Sequence, residues 1–263
     1  MKKSAILLII STILLSGCVS TISPVNPEDI TVKTVPLMMK EFQENDISIS
    51  VSNNATEAID SVNVASMDPF TVRSGGNVNI PARTNEGQAT VTLNARIQAP
   101  GFKEVTNTTT LTLSYASGKD DKGAPVIKTK AVPVQTTVLP NATLQFVGFV
   151  KGIQNITEAE VTTWTIGKGE NATITFSVKN EGKTTIDENS LKVFIDVAEK
   201  RIGTNKTVPV KEAMAKGGTS YTLGIELPIL NNAPNGETDV AVKLLDNEGH
   251  ELDSKTLTLK VKL

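Results

Sequence analysis

The sequence has one cysteine, one histidine and one tryptophan in 263 residues, and aromatic residues make up only 4% of the chain. A single cysteine, Cys18, cannot form a disulfide within the chain, so core packing must hold the fold together. A single histidine, His250, cannot supply a zinc site with several His or Cys ligands. His250 lies in "DNEGHELD", a predicted hairpin tip, where histidine side chains are usually solvated. We therefore expect no catalytic residue and no cofactor, and predict that the protein is not an enzyme.

Other absences exclude several classes of ligand. No glycine-rich loop follows a strand and opens a helix, as a phosphate-binding loop would require. The formal net charge is only −2, so nucleic acid is not an expected partner. Scarce aromatic side chains also argue against a small-molecule cleft. After the N-terminal segment, no apolar run is long enough to span a membrane.

Acidic clusters are present, but their spacing does not match a calcium loop. Asp120 and Asp121 are flanked by lysines, and no third acid is near them. A second cluster comprises Asp246, Glu248, Glu251 and Asp253. Its spacing differs from that of an EF-hand, so we expect solvated loop tips and no metal site.

The N-terminal segment carries an export signal. Lys2 and Lys3 precede an apolar run of about a dozen residues, shorter than the roughly 20 that a membrane-spanning helix needs. Residues 15–18, Leu-Ser-Gly-Cys, resemble the lipobox of membrane lipoproteins of bacteria and archaea. The resemblance implies that Cys18 carries a diacylglyceryl lipid, that the chain is cut before Cys18, and that the lipid holds it at the extracytoplasmic face of the cell membrane. The alternatives are an uncleaved helical anchor and a plain signal peptide with an incidental cysteine.

The rest of the chain has the pattern of an all-β protein. Apolar residues alternate with polar ones in residues 47–51, 89–97, 111–115, 174–178, 191–197, 223–227, 240–244 and 257–263. This period of two, with turn signals such as "SGG", "NEG" and "DNEG" between the runs, is typical of antiparallel β-sandwiches. Short helical turns are expected only in residues 36–44 and 211–216.

One predicted strand and turn carry a family resemblance. The run "NATITFSVKNEGKTTIDENSLKVFIDV" has a strand that ends Val-x-Asn-x-Gly at Val178, Asn180 and Gly182. It resembles immunoglobulin-like modules of the adhesion-related and S-layer-associated type. The resemblance implies a β-sandwich with a structural or binding role and no catalytic residues. The first half of the chain departs from the pattern, since Ala55 stands where Gly182 would.

An internal repeat indicates two related sandwiches. Residues 47–60 align with 174–187 at an offset of 127, and the same offset aligns 128–134 with 255–261. We predict a signal peptide in residues 1–17, the lipidated Cys18 and a flexible linker in 18–29, and immunoglobulin-like β-sandwiches in 30–139 and 140–263. One sandwich followed by an unrelated unit is the alternative.

The sequence contains six Asn-x-Thr motifs that are candidates for N-glycosylation. The asparagines are Asn54, Asn107, Asn141, Asn155, Asn171 and Asn205. All six fall in predicted loops or at strand ends, where a glycan can be tolerated. We expect glycans at some of them if the source is an archaeon, and bare asparagines in most bacteria.

Taken together, these patterns predict a lipid-anchored surface protein whose sandwiches contact a protein partner in the cell envelope. The alternatives are a ligand-binding lipoprotein that serves a transporter, an enzyme whose site consists of carboxylates alone, and an accessory subunit of an envelope secretion or motility complex. Pro133 and the lysines of "KTKAVPVQ" predict an edge strand that is protected from indiscriminate pairing.

Overall fold

The computed structural model describes residues 25–151, 154–156, 163–218 and 220–262. Cys18 and the predicted signal peptide lie outside these residues. The described chain forms a short 3-10 helix, Pro27–Asp29, and 18 strands, which confirms the all-β class. The strands are β1 (Ile30–Lys33), β2 (Leu37–Lys40), β3 (Glu44–Asn53), β4 (Ile59–Ser66), β5 (Thr71–Ser74), β6 (Val78–Ile80), β7 (Ala89–Gln98), β8 (Thr108–Lys119), β9 (Pro125–Leu139), β10 (Ala142–Lys151), β11 (Gln154–Ile156), β12 (Thr163–Gly167), β13 (Asn171–Asn180), β14 (Leu191–Val197), β15 (Lys206–Pro209), β16 (Ser220–Pro228), β17 (Gly236–Asp246) and β18 (Glu251–Lys262).

The strands build four sheets, which enclose two hydrophobic cores. In the first sheet pair, the sheet β1-β3-β7-β5 faces the sheet β2-β9-β8-β4-β6. In the second sheet pair, β11-β10-β13-β16 faces β12-β18-β17-β14-β15. Alternate residues of each inner strand are buried, as in β14 with Leu191, Val193 and Ile195 in the core. The period-two runs of the sequence therefore mark the core-facing sides of strands correctly.

The two segments expected to form helical turns are extended instead. Residues 37–40 form β2, which pairs in parallel with the end of β9 and buries Met39. In residues 211–216, Met214 exchanges two backbone hydrogen bonds with Ile186, at 3.0 and 2.9 Å. Helix-forming residues are present in both segments, but pairing with a distant strand or loop overrides that weak local preference.

The two sheet pairs share a topology, and the predicted offset of 127 relates equivalent strands. The offset places β3 on β13, and it places residues 125–135 of β9 on residues 252–262 of β18. A short edge strand lies parallel to the last strand of each pair: β2 along β9, and β12 along β18. Because the same crossover from one sheet to the other occurs twice, the structure supports the aligned repeat.

Strands β3 and β13 each end at a buried asparagine, and the two asparagine side chains make equivalent hydrogen bonds. Asn53 Nδ2 donates to the carbonyl oxygens of Glu57 and Pro81, at 2.7 and 3.0 Å. Asn180 Nδ2 donates to the carbonyl oxygens of Thr184 and Met214, both at 3.0 Å. Each amide thus joins the loop after its own strand to a more distant loop, and satisfies backbone groups that are shielded from water.

The packed region begins earlier than the sequence predicts. The sequence predicts a flexible linker up to residue 29, yet Val25 is buried and its N–H donates to Ser117 Oγ at 2.6 Å. Lys128 and Lys130 also donate to Asn26 and to Pro27. At the other predicted boundary, Val138 belongs to the first core and Leu139 to the second. The division into independent domains at residue 140 stays a prediction.

Candidate functional site at the junction of the two cores

His250 lies in the turn between β17 and β18, where the sequence predicts it. Its Nδ1 atom is 2.8 Å from Asp246 Oδ2 and 3.7 Å from Glu248 Oε2. The Asp246 side chain also accepts the backbone N–H of His250 at 2.8 Å. These bonds close the turn through an aspartate side chain, a common way of stabilising such a loop. His250 and Asp246 therefore stabilise the turn between β17 and β18.

The acidic residues considered for calcium are engaged in local contacts. Glu251 forms an ion pair of 2.9 Å with Lys243, whose hydrogen bond lowers the pKa of the Glu251 carboxyl below its ordinary value. Asp253 Oδ2 accepts the backbone N–H of Leu144 at 2.7 Å. Asp120 accepts two N–H groups of its own turn, at 2.9 and 2.8 Å. Within the described ranges, no group of three or more His, Cys, Asp or Glu side chains could hold a metal ion.

The two cores meet where β9 passes into β10. Only Pro140 and Asn141 separate these strands. The backbone N–H of Glu41 donates to Leu139 O at 2.9 Å, and the N–H of Glu181 donates to Asn141 O at 2.8 Å. The connection is thus held on both sides by hydrogen bonds, one from each sheet pair, which restricts bending there.

Glu41 is the least expected residue of this junction. Its side chain is only 2% exposed, and neither carboxylate oxygen accepts a hydrogen bond from any group in the described chain. A Cβ atom at Gly182 would overlap Glu41 Oε1. The carboxylate of the first sheet pair therefore lies directly on the backbone of the second.

This contact revises the explanation of the Val-x-Asn-x-Gly motif. The sequence suggests that Asn180 and Gly182 permit a tight reversal of the chain. Asn180 is a fully buried side chain, and its Oδ1 accepts the N–H of Gly182 at 2.9 Å. Gly182 does not have a positive φ. Its lack of a side chain instead makes room for Glu41, a contact that does not follow from the turn pattern.

Two polar contacts and one aromatic ring add to the junction. Lys103 Nζ lies 2.7 Å from Asp187 Oδ2, an ion pair between the two sheet pairs. Lys183 Nζ lies 5.0 Å from the centre of the Phe42 ring, within range of a cation–π interaction. Phe102 packs against both hydrophobic cores. Sequence reasoning missed these residues, because each gains its partner from the opposite half of the chain.

Two clefts border the junction. One, of about 250 Å³, is lined by Phe102, Val105, Pro140, Leu191 and Glu248 among others. The second, of about 310 Å³, lies beside Glu41 and is lined by Phe42, Asn141 and Lys183 among others. Both clefts are open and contain few aromatic side chains, unlike typical small-molecule sites. The junction is therefore better suited to holding the two cores in a fixed orientation than to binding a ligand.

The candidate glycosylation sites differ in how exposed their side chains are. Asn107, Asn171 and Asn205 are exposed, whereas Asn54 and Asn141 are half-buried. Asn155 lies on β11, and its side chain is outside the described part of the structure. Asn205 Oδ1 accepts the N–H of Val197 at 3.1 Å, so its amide is partly engaged. Asn107 and Asn171 are the better-placed attachment points.

Comparisons with known proteins assign neither a family nor a function to the chain. No protein-family model and no curated protein matches the sequence. Similar solved structures include red sea bream transglutaminase, with 11% identity, a TM-score of 0.36 and coverage of 89% of this chain. The chain spans only 31% of the transglutaminase chain.

Two further structures are similar over nearly the whole described chain. Fibronectin(III)-like modules of Clostridium thermocellum CbhA have 14% identity and a TM-score of 0.29, covering 89% of this chain and 94% of theirs. The YadV chaperone has 10% identity and a TM-score of 0.28, covering 88% and 100%. At such low TM-scores none of these similarities carries an argument about the protein. In the described residues, no helix has the length and apolarity to cross a membrane.

Proposed function

We propose that the protein is a lipid-anchored component of the cell surface that presents its two sheet pairs to other envelope proteins. The Leu-Ser-Gly-Cys sequence at residues 15–18 supports lipid attachment at Cys18. Two acyl chains on the cysteine give stable anchoring where one chain would be marginal. The protein acts by display, without catalysis and without a bound cofactor.

The junction carries this proposal. Strand β3 runs away from the junction and ends at Asn53, which pairs with Ile30 near the start of the described chain. Strand β13 begins at Asn171, far from the junction, and runs towards it. The loops that precede β13 and follow β14 therefore lie at the end opposite Val25. Each ten-residue strand is about 30 Å long, so a firm junction keeps these loops tens of ångströms from an anchor at the N-terminus.

The anchor is tested by substituting Cys18 and following the chain after cell fractionation. The wild-type chain should be found in the membrane fraction, and its N-terminal peptide should have the mass of a lipid-modified cysteine. Cys18→Ala should leave the signal uncut or release the chain. Ser16→Ala, which keeps a small residue two positions away, is the matched control and should behave as wild type. A mature, membrane-bound form of the Cys18→Ala variant would refute lipid attachment.

Glycans would modify the display surface without changing the fold. We expect attachment at the exposed Asn107 and Asn171 before the half-buried Asn54 or Asn141. Mass spectrometry of peptides from the native source, before and after glycan release, measures each site separately. Occupancy of Asn54 in preference to Asn171 would contradict this order.

A further inference from the structure

One edge of strand β3 is bare at its start. Strand β3 pairs with β7 from Glu44 to Asn53, but β1 covers its other side only from Ser50 to Asn53. Within the part of the chain that the structure describes, no strand pairs with residues 44–49 on that side. Alternate backbone N–H and C=O groups of these residues therefore point away from the sheet, where another strand could bind them. We name residues 44–49 the free edge.

The second sheet pair shows what covers the equivalent edge. At the offset of 127 the free edge corresponds to residues 171–176 of β13, and β10 pairs with β13 from Asn180 as far as Thr173. Strand β10 has ten residues, whereas its counterpart β1 has four. After Lys33 the chain leaves β1 and crosses to β2, at the level where β10 continues along β13. The first sheet pair therefore lacks a length of strand that the second takes from its own chain.

Apolar side chains beside the free edge are left partly uncovered. Ile174 of β13 is fully buried, but its equivalent Ile47 is half-buried. A cleft of about 270 Å³ opens at this place, and the apolar residues that line it include Leu37, Ile49, Met67, Leu111 and Val134. Val35 also lines the cleft and is 72% exposed. An exposed apolar side chain at an apolar cleft indicates a surface that another chain covers.

The free edge also lacks the usual protection against pairing with a further strand. The uncovered edge of β9 carries Pro133, and Lys128 and Lys130 lie on its core-facing side. Proline and inward-facing lysines of this kind prevent another strand from pairing. The free edge has no proline and no inward charge, and its pairing with β7 contains no bulge. One edge of this sheet pair is therefore blocked, and the other can accept a strand.

The charge of the free edge favours a basic strand over a second copy of the chain. Its outward residues include Glu44 and Asp46, which form exposed ion pairs with Arg73 and Arg96 at 3.1 and 2.8 Å. Pairing residues 44–48 of two copies about a two-fold axis would put Asp46 opposite Asp46, and like charges directly opposite are destabilising. A basic residue opposite Asp46 is attracted, although modestly, because the site is exposed.

We propose that the free edge binds an extended segment of another envelope protein, which adds to the sheet as an antiparallel strand in continuation of β1. Large apolar side chains of the segment fill the cleft beside Ile47 and Ile49, and a basic residue lies opposite Asp46. Backbone hydrogen bonds over about 20 Å supply affinity, and the alternate side chains supply specificity. This site rests on the proposed function, since it is one contact through which the displayed protein binds its partner.

Strand β10 supplies the sequence of a probe for this site. In the register of β10 on β13, a synthetic peptide of residues 146–151, Phe-Val-Gly-Phe-Val-Lys, places its phenylalanines opposite Ile49 and Ile47 and its second valine opposite Asp46. Fluorescence anisotropy of the labelled peptide, titrated with the purified full-length chain in detergent, measures the dissociation constant, and detergent alone gives the baseline. We expect saturable binding that weakens by at least about tenfold when both phenylalanines are serine. Lysine in place of the second valine should tighten binding by about threefold, and glutamate should weaken it.

Matched variants of the chain separate binding from folding. Val35→Asp, at the cleft, should raise the dissociation constant of the peptide by about tenfold. Ile127→Asp changes another exposed apolar residue, at the end of β9 that lies far from the cleft, and should leave the constant unchanged. Melting temperatures should be the same for both variants, because both side chains are exposed. Asp46→Asn should abolish the preference for the lysine peptide.

Hydrogen exchange locates the bound peptide on the chain. The peptide should slow amide exchange in residues 44–49 and leave residues 171–176 unchanged, because β10 already covers most of that edge. Absence of saturable binding, or equal affinity for the serine peptide, would overturn the proposal. Protection of residues 44–49 that rises with chain concentration in the absence of peptide would overturn it in favour of a second copy. These measurements use the purified chain, so they succeed or fail independently of lipid attachment at Cys18.

Discussion

Replacing the buried amide of Asn180 should destabilise the second sheet pair in particular. The two N–H groups of Asn180 Nδ2 are shared among Thr184 O, Met214 O and Ala215 O at 3.0, 3.0 and 3.2 Å, and Oδ1 accepts the N–H of Gly182 at 2.9 Å. Asn180→Ala leaves these backbone groups without that partner. A buried polar group left unsatisfied costs about 1–3 kcal/mol. Since carbonyl oxygens keep some alternatives, we expect a loss of about 3–6 kcal/mol in the free energy of unfolding.

The single tryptophan of the chain shows which sheet pair loses stability. Trp164 is the single tryptophan and lies in the second core, 4% exposed. Its fluorescence therefore follows unfolding of the second sheet pair, while far-ultraviolet circular dichroism follows both. In urea, Asn180→Ala should move the Trp164 transition to lower denaturant. Asn53→Ala, which removes fewer hydrogen bonds, should lower the free energy of unfolding by about 2–4 kcal/mol. It should shift the dichroism transition of the first sheet pair and leave the Trp164 fluorescence transition unchanged.

Two controls make this prediction refutable. Asn54→Ala replaces a half-buried amide next to Asn53 and should change the free energy of unfolding by less than about 0.5 kcal/mol. Asn180→Asp keeps the acceptor for Gly182 but loses the donor, so it should be nearly as destabilising as Asn180→Ala. An Asn180→Ala variant as stable as wild type would refute the role of the amide. Equal shifts of the Trp164 transition by the Asn53 and Asn180 substitutions would refute two independently folding domains.

Three further predictions follow from the packing. Gly182→Ala should destabilise the chain by about 1–3 kcal/mol, because its Cβ would overlap the Glu41 carboxylate, and adding Glu41→Ala should recover most of that loss in a urea titration. Burial, with smaller effects from two nearby acids, raises the pKa of Tyr115 from 10.0 to about 12. The neutral phenol therefore stabilises the fold by about 2–3 kcal/mol below about pH 10, and this contribution is lost as the pH rises towards 12. The melting temperature should fall less steeply over that range for Tyr115→Phe than for the wild type. Asp187→Asn, which removes the exposed ion pair with Lys103, should cost less than about 1 kcal/mol at low salt and have no effect at about 1 M salt.

Much of the fold could be predicted because the core-facing residues of each strand are a local pattern. The alternations in residues 174–178 and 191–197 correspond to β13 and β14, and the offset of 127 correctly pairs β3 with β13. The error in residues 36–44 has the same origin. Helix-forming residues there gave a local preference, but Met39 is buried by pairing with β9, about a hundred positions away.

The junction could not be predicted in the same way. Glu41 reads as an ordinary acidic surface residue, and Phe102 as an isolated aromatic. Their burial depends on how one sheet pair meets the other, which no local period encodes. The difference between Ala55 and Gly182 at equivalent positions was a usable signal, but its meaning required the position of Glu41.

The sequence by itself determined the all-β class, the core side of most strands and the repeat, since each follows from the spacing of apolar residues along one strand. It also carries the candidate lipid site at Cys18. Only the tertiary structure decided that Val25 is packed and that a carboxylate rests on Gly182. These features depend on residues distant in the chain that folding brings together, so their energies arise only once both partners are in place.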